Sequence, residues 1–269
     1  MTIGFIGAGK MARALAQGLV AGGVAKPGDL VCTSRTQESG RAFLELFPNG
    51  QARWLDQAAK VVAAGDPIIL AIKPQQFGDV LAPLRDISAG KLFLSLAAGV
   101  TTAKIADALH PSARIVRCMP NTPMQVGAGA SIYAPGANAT TADLALVDQI
   151  LSAAGRAWKV EENQIDALTA LSGSGPAYVF HFIEALTRGA IALGIDGRLA
   201  DELARQTVLG AAKLASESPL PPLDLAAQVK SPGGTTIAGC AILEQNDALN
   251  QLLAQCLAAA HARAAELGK

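Results

Sequence analysis

The chain has 269 residues, 51% of them hydrophobic and 16% charged, with Lys plus Arg and Asp plus Glu both totalling 22. That length suits one large domain or two smaller ones, and so much apolar material excludes an intrinsically disordered chain. The zero net charge shows none of the basic excess of a nucleic-acid-binding surface.

Up to about residue 160, short apolar runs alternate with amphipathic segments. The runs 2–6, 30–33, 67–72, 91–96, 114–119 and 130–134 are rich in Val, Ile, Leu and Phe and bounded by Gly, Pro or Asn, as strands are. Helical spacing occupies 10–22, 36–47, 75–84, 101–109 and 140–153, and residues 158–160 are a candidate last strand. Strands alternating with helices predict βαβ units and a parallel sheet. After Glu161 the strand signals stop. Ala, Leu, Gln and Glu dominate at helical spacing, with Pro219-Leu220-Pro221-Pro222 as a break between helices. The expected organisation is an α/β doubly wound parallel sheet over 1–160 and an all-helical domain over 161–269. Apolar surface on the helical domain either meets a second copy or packs on the first domain.

Mean hydropathy is +0.31, so a membrane span has to be tested. The longest uncharged stretches, 118–142 and 167–183, are broken by Pro, Gly, Asn and Ser, which excludes about twenty continuous apolar residues. No basic and apolar leader opens the chain. The cysteines Cys32, Cys118, Cys240 and Cys256 form no CxxC pair, and His110, His181 and His261 are isolated. Reduced thiols, a cytoplasmic protein and no metal site are the expectation.

The chain opens Ile3-Gly4-Phe5-Ile6-Gly7-Ala8-Gly9-Lys10-Met11-Ala12. This G-x-G-x-x-A pattern leaves a strand and enters a helix, the context in which it binds a dinucleotide pyrophosphate. Gly7 permits the tight turn, Gly9 lets the phosphates approach the backbone, and Ala12 lets helix and sheet pack closely. The helix N-terminus then presents N–H groups to the anion. At the end of the second strand, Cys32-Thr33-Ser34-Arg35-Thr36 carries no carboxylate for a ribose 2′-hydroxyl. Arg35, flanked by hydroxyls, suits a 2′-phosphate and favours NADPH over NADH. Two more strand ends, Ala71-Ile72-Lys73-Pro74 and Leu96-Ala97-Ala98-Gly99, should line the same cleft. Lys73 either approaches the ribose or phosphates or keeps its head in water.

Three later motifs are more specific: Met119-Pro120-Asn121-Thr122-Pro123, Leu171-Ser172-Gly173-Ser174-Gly175-Pro176-Ala177-Tyr178, and Val229-Lys230-Ser231-Pro232-Gly233-Gly234-Thr235-Thr236. With the two glycine-containing and lysine-proline segments, they resemble pyrroline-5-carboxylate reductase over nearly the whole chain. The resemblance implies a Rossmann domain followed by a helical dimerisation domain. It implies reduction of L-1-pyrroline-5-carboxylate to L-proline with NADPH or NADH, by a homodimer that can assemble into a decamer. It places the cofactor at Ile6, Gly7, Ala8, Gly9, Lys10, Met11, Ser34, Arg35, Ala71, Ile72, Lys73, Pro74, Leu96, Ala97 and Ala98. It places the cyclic imino acid at Ser231, Gly233, Gly234, Thr235 and Thr236, with Glu162. Gln228 stands where the family often has Asn.

The substrate class explains why these residues suffice. A loop with two glycines before the helical run 237–244 offers N–H donors to a carboxylate, near Ser231 and Thr235; the alternative is a helix start capped by Ser or Thr with no ligand. Thr236, the one catalytic assignment, can hydrogen-bond the ring nitrogen and position the C=N carbon. A protonated iminium needs no further proton, in keeping with the lack of an acid/base set. For a neutral imine the proton comes either from water or through Thr236. Pro176 should free a carbonyl upstream and interrupt a long helix. Asn121 and Thr122 either touch the nicotinamide or sit in a loop that the prolines hold rigid. The two rivals fit less well. A β-hydroxyacid dehydrogenase needs a helical Lys just after its glycine segment, and none occurs here before Lys213. A non-catalytic NADP sensor needs no carboxylate nest.

Overall fold

In the computed structural model, residues 1–48 and 50–267 are described. The first part alternates β1 (Ile3–Ile6), α1 (Lys10–Ala21), β2 (Leu30–Thr33), α2 (Gln37–Leu44), β3 (Arg53–Trp54), α3 (Ala58–Ala64), β4 (Ile68–Leu70), α4 (Phe77–Leu81), β5 (Leu92–Ser95), α5 (Thr102–Ala108), β6 (Arg114–Met119), β7 (Gly129–Pro135), α6 (Thr141–Ser152) and β8 (Gly155–Lys159). The rest is helical: α7 (Ile165–Leu168), a turn of π-helix at Thr169–Gly173, α8 (Gly175–Ala192), α9 (Gly197–Glu217), α10 (Pro222–Gln228), α11 (Thr235–Glu244) and α12 (Ala248–Leu267). No strand follows Lys159 among the described residues, and no helix there is long and apolar enough to cross a membrane.

The strands form one eight-stranded sheet in the order β3-β2-β1-β4-β5-β6-β7-β8. Every pairing is parallel except β6 with β7. The exception has a simple cause. Residues 120–128 are too short for the crossover of about a dozen residues that a parallel return requires. The longer link from β7 to β8 carries α6, and that pair is parallel.

Alternation along the strands buries both faces. Ile3 and Phe5 of β1, Leu92 and Leu94 of β5, and Val116 and Cys118 of β6 join Leu15 and Leu19 of α1 and Ile150 of α6 in one core. Ile6, Phe93 and Ile115 point the other way, to Val61 of α3, Leu81 of α4 and Ile105 of α5. Burying a side chain of this size contributes about 1.5–3 kcal/mol. Local chemistry sets the helix starts. Thr36 caps α2 through the Ser39 amide, Thr101 caps α5 through Lys104, Thr140 forms a capping box with Asp143 on α6, and Asp196 caps α9.

The chain divides into two compact units: Met1–Ser174 with the last stretch from Ala260, and Gly175–Ala259. The first unit therefore extends past the strands to Ser174. Of the apolar side chains in the second unit, all of whose residues are described, only Ala200 and Ala204 are buried, while Leu199, Leu203, Leu209, Phe180 and Leu223 stand exposed.

Two elements escape the sequence pattern: β3, with two residues, and the short helix α3. Neither is long enough to show a period.

Candidate active site

The strand order reverses between β1 and β4, the place where open α/β sheets bind ligands beyond their carboxyl ends. Backbone hydrogen bonds tie the strand ends together there. Gly7 donates to the Thr33 carbonyl at 2.9 Å, Ala71 to Ile6 at 2.8 Å, and Leu96 to Leu70 at 2.9 Å. The segments Ile6–Met11, Ser34–Arg35, Ala71–Pro74 and Leu96–Ala98, far apart in sequence, thus share one edge.

Gly7 has φ +105°, and a Cβ there would lie 2.4 Å from the Ala71 carbonyl oxygen, so no other residue fits. Gly9 is different: a Cβ there would meet nothing within 4 Å and would fill open space. Gly9 is also the N-cap of α1, with no side chain capping the first turn. The first N–H groups of the helix therefore face a cradle that fits a pyrophosphate. Ala8 and Ala12 are buried beneath it, Met11 is half-buried, and Lys10 is exposed.

At the end of β2 the Ser34 hydroxyl donates to the Thr36 carbonyl at 2.8 Å and accepts from the Trp54 indole at 3.0 Å. Its hydrogen is committed to shaping the loop. Arg35 is exposed beside it and has no ion-pair partner among the described residues, which suits it to an anion. At the end of β4, Ile72 and Pro74 are half-buried, and the Lys73 side chain is exposed while its backbone N–H donates to Gln76 at 3.2 Å. After β5, Ala97 is buried, and Leu96 and Ala98 are half-buried.

The substrate motif lies in the second unit, between α10 and α11. Gln228 ends α10 and is exposed. Gly233 has φ +70°, and a Cβ on Gly234 would lie 2.4 Å from the Ser231 hydroxyl oxygen. The Gly234 amide closes the turn on the Ser231 carbonyl at 2.9 Å. Gly234 is the N-cap of α11 and no side chain caps that start, so Ser231 and Thr235 are not serving as helix caps. Thr235 is exposed and Thr236 half-buried. At the rim, Lys230 pairs with Glu244 at 2.6 Å, and that carboxylate raises the pKa of its ammonium.

Glu162 belongs to the first unit, not to this loop. Its carboxylate accepts from the Thr102 amide at 2.8 Å and the Thr102 hydroxyl at 2.6 Å, and lies 3.5 Å from Arg117. Arg117, only 3% exposed, also holds Asp166 at 2.8 Å. Thr102, Arg117 and Asp166 carry no sequence signal, because 60 residues separate Glu162 from Thr102. Asn121 is buried with both amide atoms bonded to backbone: Nδ2 donates to the Ser172 carbonyl at 2.9 Å, and Oδ1 accepts from Ala130 at 2.8 Å.

A family model for pyrroline-5-carboxylate reductase dimerisation matches residues 162–267, and one for NADP oxidoreductase, coenzyme F420-dependent, matches residues 2–99. A pyrroline-5-carboxylate reductase of Methanosarcina acetivorans is 43% identical over 99% of this chain and 98% of its own. Among solved structures, the reductase of Coxiella burnetii superposes with TM-score 0.93 at 39% identity, covering 100% of this chain and 98% of that one. The Plasmodium falciparum enzyme, solved with NADP bound, gives TM-score 0.87 at 29% identity, with 100% and 98% covered. Identity across both units, joined to a cradle at Gly9 and an uncapped helix after Gly234, leaves one assignment: this chain belongs to the pyrroline-5-carboxylate reductase family.

Proposed function

We propose that this protein reduces the C=N bond of L-1-pyrroline-5-carboxylate to give L-proline, with NADPH as the preferred reductant and NADH as the alternative. Bound along Ile6–Met11, Ser34–Arg35, Ala71–Pro74 and Leu96–Ala98, the nicotinamide supplies the hydride. The observation that carries the reading is the start of α11: a glycine cap, no side-chain cap, and hydroxyls at Ser231 and Thr235. Its free N–H groups bind the substrate carboxylate, where the helix dipole favours negative charge. The Thr236 hydroxyl hydrogen-bonds the ring nitrogen and holds the C=N carbon in place, which is positioning catalysis. A cyclic iminium is already an electrophile, so the site works without an acid/base pair. Gln228 borders the loop as a further amide.

The assembly in this reading is a homodimer through the helical unit, supported by the exposed Leu199, Leu203 and Leu209. A decamer is the higher assembly that the family resemblance implies. The four free cysteines support a cytoplasmic setting.

The test is NADPH oxidation followed by absorbance with L-1-pyrroline-5-carboxylate, with NADH in parallel. Turnover that yields proline, faster with NADPH, is expected. Folded protein that binds NADPH and turns over neither mixture would mean that the α11 loop serves another anion.

A further inference from the structure

Two of the sequence motifs meet at Ser172, near the end of the first unit's long stretch, in a way that neither announces. In an α-helix the carbonyl of Ser172 would accept the N–H of residue 176. Residue 176 is Pro and has none. The missing donor is replaced from another element: Asn121 Nδ2 reaches the Ser172 carbonyl at 2.9 Å. The orientation of that amide is fixed, because its other atom, Oδ1, accepts from the Ala130 N–H at 2.8 Å, and a backbone N–H can only donate. The stretch held in this way is the π-turn Thr169–Gly173, where the Ser174 N–H reaches back to the Thr169 carbonyl at 2.9 Å. Such turns recur at functional sites because they displace side chains from the helical path. Here Thr169 and Ser174 line a cavity of about 170 Å³ together with Ala98, Gly99 and Asp166. Ala98 is one of the strand-end residues assigned to the cofactor.

We propose that Asn121 is a positioning residue that substitutes for the absent N–H of Pro176 and so fixes the π-turn wall beside Ala98. Both amide atoms are taken by backbone partners, so Asn121 acts through Ser172, and through that carbonyl on Thr169 and Ser174. The idea rests on the proposed reductase activity for its kinetic consequence but not for its structural one.

Asn121→Asp tests it, because the carboxylate keeps the acceptor for Ala130, removes the donor to Ser172 and sets a charged oxygen against that carbonyl. With Ser172 released, kcat falls by about ten- to a hundred-fold, the scale of a small misplacement at a reacting centre, while NADPH affinity stays within about two-fold. Amide exchange over 169–180, measured without cofactor, becomes faster. Pro176→Ala in the same chain returns an N–H at the right position, so the double variant recovers both slow exchange and kcat. A merely structural asparagine would give no such rescue. Unchanged kcat or unchanged exchange in Asn121→Asp, or a double variant no better than the single one, overturns the proposal. If Asn121→Asp does not fold, recovery of folded protein on adding Pro176→Ala supports it, and failure to recover overturns it. An inactive parent protein would instead sink the reductase reading, and the exchange measurement would still decide the role of Asn121.

Discussion

Single residues in this chain separate into those dictated by a close approach and those left free for a ligand. Gly7 belongs to the first kind, pressed against the Ala71 carbonyl, and Gly9 and Arg35 to the second. The close approach at Gly7 is legible in the sequence, because a strand-to-helix turn of this kind demands glycine. Ser34 adds what the sequence does not show: its hydroxyl donates to the Thr36 carbonyl while Trp54 donates to its oxygen. Trp54 lies in β3, which the pattern did not reveal. Arg35 is the residue that should decide the cofactor. Arg35→Ala is expected to weaken NADPH by about ten- to a hundred-fold, the worth of a charge-assisted hydrogen bond, and to leave NADH within about two-fold. Fluorescence titration of both cofactors checks this, and equal losses would remove Arg35 from the phosphate site.

At the level of elements, the helices differ in how they start. The helices α2, α5, α6 and α9 are capped by the side chain of their N-cap residue, α3, α4, α7 and α10 start without such a cap, and α1 and α11 begin on a glycine. A capped start is satisfied, and an uncapped one retains N–H groups for an anion. Helix α5 receives a second acceptor from outside itself, Glu162, which also faces the buried Arg117. This links the segment after β8 to the segment after β5, next to Gly99. Glu162→Ala removes two hydrogen bonds to Thr102 and leaves Arg117 with Asp166 alone. It should lower unfolding stability by about 2 kcal/mol, the scale of hydrogen bonds to a charged group, as read by denaturant titration. A variant as stable as the parent would show that α5 does not depend on this contact. Caps close to their helix were readable from Thr and Asp at helix starts. The Glu162 contact was not, because nothing local distinguishes that glutamate from its exposed neighbour Glu161.

For the molecule as a whole, the second unit leaves many apolar side chains in water. Its apolar residues fall at helical spacing, yet Leu199, Leu203, Leu209 and Leu223 are 48%, 52%, 61% and 80% exposed. Exposed apolar side chains in this number are unfavourable in water, and a second copy would offer the same side chains in return. Sedimentation equilibrium should therefore give a mass at or above twice that of the chain. Leu203→Glu, which places a charge on this face, should shift the protein toward monomer and lower its stability at low concentration. A parent protein that remains monomeric at high concentration would refute the assignment of this face.

By itself, the sequence determined the alternation of strands and helices, the glycine cradle, the arginine after β2, and the all-helical character of the second half. Each is local: periodicity, turn chemistry and capping act over a few residues, so a few residues report them. Only the tertiary structure decided that β7 runs against β6, that Ser34 binds Trp54, that Glu162 caps α5, and that Asn121 satisfies the carbonyl stranded by Pro176. Those facts depend on which groups from distant segments meet at hydrogen-bonding distance. A buried polar group must find a partner wherever the fold provides one, and sequence spacing does not record where that is.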